Sequence, residues 1–108
     1  MKLTAQRQAL RDAIIAAARD PESEWEVANG NTIRYTEVRD TPQAMRTWPD
    51  AYGYTPYDRP TYERHVFLSW SVDKPMLGVS HAPWTGRRDQ FVTLKRAFEI
   101  LDDPTSAF

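Results

Sequence analysis

The chain has no cysteine and only two histidines among its 108 residues. Structural disulfides, thiolate catalysis and cysteine-based zinc sites are therefore excluded, and two histidines are too few for a histidine-only zinc site. No cofactor is implied. The chain also lacks any run approaching the roughly 20 apolar residues that span a bilayer, so no membrane partner is expected. Nothing at the start reads as an export signal, because Lys2 is followed by a segment containing Thr, Gln and Arg instead of an unbroken apolar run. Together with the absent cysteines, this points to a reducing, cytoplasmic setting.

Charge of one sign is missing too. The formal net charge is −1, so there is no global pull toward nucleic acid or anionic lipid, and any such binding has to rest on a local patch. Eleven of the fourteen basic residues are arginine, a bias that suits bidentate recognition and equally suits a GC-rich genome.

What is present fits one domain over residues 1–108. A chain of this length buries about two thirds of the surface its unfolded form exposes, enough to fold without a metal or a disulfide. Thr4 is placed to cap a helix that runs to about Asp20 and stops at Pro21. Leu3, Leu10, Ile14 and Ala17 share one face of it, and Ile15 widens the stripe, as expected of a helix lying on a sheet. Residues 25–38 read as a β-hairpin around Asn29-Gly30-Asn31. A three-residue loop there sets Val27 opposite Ile33 and Trp25 opposite Tyr35 on one face.

The pattern then vanishes over residues 40–63, where Pro42, Pro49, Pro56 and Pro60 interrupt a segment rich in tyrosine. Val66, Leu68, Trp70 and Val72 alternate with His65, Phe67, Ser69 and Ser71, the signature of a strand with one strongly apolar face. Its expected partner is residues 76–81, paired through an even-length turn around Lys74-Pro75, with Val72 opposite Leu77, Trp70 opposite Val79 and His81 opposite Leu68. A last helix is expected from about Arg87 to Asp102, with Phe91, Leu94, Phe98 and Leu101 on one face.

The predicted fold is thus α+β, in the order α-β-β-(long loop)-β-β-α: a four-stranded antiparallel sheet with two terminal helices packed on one face. Both helices are charged against their dipoles, with Arg7 and Arg11 or Arg87 and Arg88 at the start and acidic residues at the end. Each such charge costs about 0.3–1 kcal/mol when exposed. Side by side and antiparallel, each basic start would meet the other's acidic end.

Two segments stand out as candidate sites. Residues 46–62 gather Arg46, Trp48, Tyr52, Tyr54, Tyr57, Arg59 and Tyr62. Tyrosine, tryptophan and arginine dominate binding hot spots because they combine large area, few rotamers and a polar tip. The competing use of these rings is to fold back over the sheet as core cover. The second segment, His81-Ala82-Pro83-Trp84-Thr85-Gly86-Arg87-Arg88, would deliver a histidine and two arginines to a helix start whose free amides favour an anion. It lacks the spaced glycines and the lysine of a P-loop. His65 with Ser69 and Ser71 suggests a nucleophile system only loosely, since no nucleophile-elbow glycines accompany them. Glu22, Glu24, Glu26 and the Asp102-Asp103 pair lack the spacing of a calcium loop.

The leading expectation is a small, non-enzymatic accessory protein of a bacterium or phage that binds a protein partner through the aromatic loop, in the manner of an inhibitor of a larger complex. Nucleic-acid binding by the loop tyrosines with Arg87 and Arg88 is the first alternative. An anion-binding or hydrolytic domain centred on His81 is the second. A homodimer contact over the strand face that carries Phe67 is a further option.

Overall fold

The computed structural model describes residues 4–48, 60–71, 74–82 and 85–108, with side chains at all of these except 71, 82 and 85–88. Helix α1 (Ala5–Arg19) leads into β1 (Glu26–Asn29) and β2 (Thr32–Asp40). A short helix α2 (Thr41–Thr47) follows, then β3 (Thr61–Ser71), β4 (Lys74–Ala82), β5 (Thr85–Phe91), helix α3 (Leu94–Asp102) and a 3-10 turn (Pro104–Ala107). The strands form one antiparallel meander in the order β1-β2-β3-β4-β5.

The expected cap holds: the Thr4 hydroxyl accepts a hydrogen bond from the Arg7 amide at 3.3 Å. In the first hairpin Val27 stands opposite Ile33 as the alternation requires. The turn is tighter than the three-residue loop expected, because Asn29 pairs directly with Thr32 and the spare residue is taken up as an irregularity between Val27 and Asn29. Gly30 carries the turn at φ +43°, where a side chain is strained. The Trp25 and Tyr35 rings meet edge to face at 6.4 Å, on the shared face that the parity argument gave them.

Four expectations are corrected. The sheet has five strands, not four, because residues 85–91 pair with β4. Without β5 the outer backbone groups of β4 would lack ladder partners, and that need outweighs the weak helical pattern of a charged stretch. The last helix accordingly begins at Leu94, where Thr93 caps it by accepting from the Arg96 amide at 3.1 Å. This rotates its buried stripe: Ala97 and Ile100 face inward with Leu94 and Leu101 beside them, whereas Phe98 is partly exposed and Phe91 lies on β5. The stretch after Asp40 is also not all loop. Asp40 accepts from the Gln43 amide at 2.9 Å and starts α2, with Pro42 in the first turn, where its missing N–H costs nothing. Finally, β3 and β4 pair Leu68 with Leu77, Val66 with Val79, Trp70 with Pro75 and Ser71 with Lys74. Lys74 and Pro75 therefore belong to the ladder of β4 and not to a turn, and His81 faces Arg64 instead of Leu68. Face parity survives the slip, and the longer ladder reaches Glu63 and Ala82.

Both helices of the expected pair lie on one face of the sheet. Leu10 and Ile14 of α1 share a buried cluster with Ala97 and Ile100 of α3 and with Trp25, Ile33, Val66, Leu68, Trp70 and Leu77 of the sheet. Trp25 donates its indole N–H to the Leu101 carbonyl at 3.1 Å, tying the sheet edge to the end of α3. Arg87 and Arg88, expected at the start of the second helix, sit on β5 instead. Among the described residues the ion pairs run within the sheet or, as Arg96–Glu99, within α3. No helix among the described residues is long and apolar enough to cross a membrane.

Candidate interaction surface

Beyond the main core, the sheet face under the helices carries a second small cluster. Trp48 caps the C-terminus of α2 and packs with Ala44 and with Tyr62, the second residue of β3. Both rings are buried, at 5% and 0% exposure. They are therefore anchors, not contact residues, which corrects the expectation for two members of the aromatic segment. The cause is local: α2 turns Trp48 back onto the sheet, and strand alternation puts Tyr62 on the same face as Val66 and Leu68. Arg46 is exposed on the last turn of α2. Tyr52, Tyr54, Tyr57 and Arg59 lie outside the described residues. The Thr41 amide donates to the Pro60 carbonyl at 3.1 Å, and Asp40 pairs with Thr61. The chain that leaves this cluster after Trp48 thus rejoins it at Pro60.

Around the Trp48 indole stand two guanidinium groups, Arg39 at 4.6 Å and Arg64 at 4.5 Å from the ring centre. Arg64 also covers the Phe108 ring at 3.6 Å. Such contacts contribute about 0.5–2 kcal/mol each, more as water is excluded. Glu37 balances the charge: one carboxylate oxygen accepts from both Nε and Nη2 of Arg64 at 3.0 Å, and the other accepts from the Tyr35 hydroxyl at 3.1 Å. Arg39 reaches the same carboxylate only at 3.8 Å. Burial, reinforced by the bond to Glu37, pushes the Tyr35 hydroxyl up to about 12. Two guanidinium groups thus share one carboxylate at this end of the sheet.

His81 lies opposite Arg64 on β4, and its ring centre is 6.3 Å from that of Phe108. Burial first, then the charges of Arg64 and His65, hold its pKa below the ordinary histidine value. The anion site expected at His81, Arg87 and Arg88 lacks its helix start: Arg87 and Arg88 belong to β5, and the nearest helix opens beyond them at Leu94. A cavity of about 500 Å³ lies beside this strand, lined by Leu77, Val79, Asp89, Gln90 and Ala107.

On the opposite face of the sheet, the register of β2 against β3 sets Thr36 beside His65. Thr36 Oγ1 and His65 Nδ1 are hydrogen-bonded at 2.9 Å, while His65 Nε2 is 3.3 Å from a Glu63 oxygen. Burial lowers the His65 pKa, helped by the charge of Arg34 and opposed by Glu63. This constellation is not the one considered from the sequence. Ser69 shares the face but pairs with Thr32 and Met76, and the hydroxyl that reaches His65 comes from a strand 29 positions earlier. Only the pairing across the intervening segment brings the two together.

Among the described residues no group of three or more histidine, cysteine or carboxylate side chains is placed to hold a metal ion. No family model, curated protein or solved structure matches the chain.

Proposed function

We propose that this is a small accessory protein that acts by binding a protein partner through residues 46–62, with Arg46, Tyr52, Tyr54, Tyr57 and Arg59 supplying the contacts. The supporting observation is the anchoring of the segment. Trp48 and Tyr62 are buried in one cluster at its two ends, and the Thr41–Pro60 hydrogen bond closes the base. Pinning both ends lowers the entropy lost when the residues between them engage a partner, which is how a short loop reaches useful affinity. The composition between the anchors, three tyrosines and an arginine, is that of a recognition loop.

The reading is tested with a Tyr54→Ala, Tyr57→Ala double variant, scored both for thermal stability and for proteins retained from lysate of the source cell. Loss of retained partners with an unchanged melting temperature is expected. A lowered melting temperature with partners still retained would show that these rings are core cover and would overturn the reading. Salt separates the nucleic-acid alternative: phosphate-driven binding weakens steeply between 50 and 200 mM salt, whereas an aromatic protein interface changes little.

A further inference from the structure

We propose that Thr36 is an acyl-accepting hydroxyl on the sheet face opposite α1 and α3, with His65 as its general base and Glu63 as the residue that positions His65.

The protons are assigned by chemistry. An ionised Glu63 carboxylate only accepts, so the His65 nitrogen facing it at 3.3 Å, Nε2, carries the ring proton. Neutral His65 then has a lone pair on Nδ1, and the Thr36 hydroxyl donates to it at 2.9 Å. Hydroxyl, imidazole and carboxylate thus stand in the order that activates a nucleophile, with the two ring nitrogens exchanged relative to the usual arrangement. The lowered pKa of His65 keeps the ring neutral and able to accept at neutral pH. Among the described residues, the charged groups that act on it are Glu63, Arg34 and Glu26. Arg34 is held by Glu26 through Nε and Nη2, both at 2.9 Å. It sits two residues from Thr36 on the same strand face, about 7 Å along the strand, and adds a positive charge on that face. Phe67, opposite Arg34 and on the other side of His65 from Glu63, lies 6.0 Å from His65 between ring centres and offers an apolar platform.

The substrate class is a small, uncharged, activated carboxylic ester, since the hydroxyl stands on a sheet surface. Thr36 Oγ1 attacks the carbonyl carbon while its proton passes to His65 Nδ1. The C–O bond to the leaving group breaks, the leaving oxygen takes that proton, and the acyl group remains on Thr36. Water then attacks with His65 Nδ1 as base, releasing the carboxylic acid and restoring the hydroxyl. No oxidant, reductant or metal is required.

The test uses the full chain with p-nitrophenyl acetate, following nitrophenolate release and mapping the acetyl group by mass spectrometry. Acetyl on Thr36 is expected, with release slowed about a hundredfold by His65→Gln, the usual contribution of a general base. Thr36→Ser should restore acylation at the same position, and Thr36→Val should abolish it. The wild-type rate should rise with pH to a plateau, with its midpoint below the ordinary histidine pKa of about 6.5, and Glu63→Gln should displace that profile. Acetyl found only on lysines, the terminal amine or a histidine ring, release indifferent to Thr36→Val, or no acetylation at all would overturn the proposal. Each variant is checked by circular dichroism; should His65→Gln fail to fold, Thr36→Ser and Thr36→Val decide the matter.

Discussion

At the scale of the residue, Arg64 carries more of the local structure than any neighbour. Its guanidinium bonds Glu37 twice and lies between the Trp48 and Phe108 rings. The ion pair is mostly shielded, with side-chain exposures of 16% and 13%. Replacing Arg64 by methionine keeps the apolar stem but leaves the Glu37 carboxylate with Tyr35 and a distant Arg39. A half-buried charge left that way costs about 1–3 kcal/mol, and urea denaturation of Arg64→Met should show a loss of that order. The double variant Glu37→Gln, Arg64→Met should recover part of it, because the stranded charge is then gone. Trp48 and Tyr62 could not be told apart from Tyr52 or Tyr57 by composition. Their burial follows from an α2 helix and a strand start that lie between prolines and leave only a faint pattern.

At the scale of the element, the contrast between β5 and α3 is instructive. Residues 87–91 carry two arginines, an aspartate and a glutamine, which suit an exposed helix turn as well as an edge strand. Their strand form follows from their neighbour: β4 has an open side, and charged residues on the outermost strand discourage pairing with another chain. The cap decides where the helix begins. Thr93→Ala should cost about 1 kcal/mol through the lost bond to the Arg96 amide, measured by thermal or urea melts. Hairpin one, apart from its loop length, and helix α1 were legible because their signals are local: turn residues at Asn29-Gly30-Asn31, alternation around them and a capped, alanine-rich helix. The β3–β4 register was legible only in parity, since alternation distinguishes faces but not slips of two or four residues.

At the scale of the whole molecule, both histidines couple protonation to folding. Each has a pKa held below its ordinary value in the folded chain, by burial first in both cases. The unfolded chain therefore binds more protons in the window between the folded pKa and about 6.5. Stability rises with pH across that window and is lost as pH falls through it, the opposite of a histidine held by a strong carboxylate partner. Melting temperature should thus drop on acidification from pH 7 to 5, and the His65→Gln, His81→Gln double variant should show a shallower drop. A profile unchanged by the double variant would mean that the carboxylates dominate.

The fold class, the capped first helix, the first hairpin and the sharing of one sheet face by two helices followed from the sequence alone. All rest on periodicity and turn chemistry, which act over a few residues and leave their mark in order. The fifth strand, the start of the last helix, the burial of Trp48 and Tyr62 and the meeting of Thr36 with His65 were decided by tertiary structure. Each depends on which backbone edge remains to be paired and on a register set between strands far apart in the chain, and neither quantity is written in any local stretch of residues.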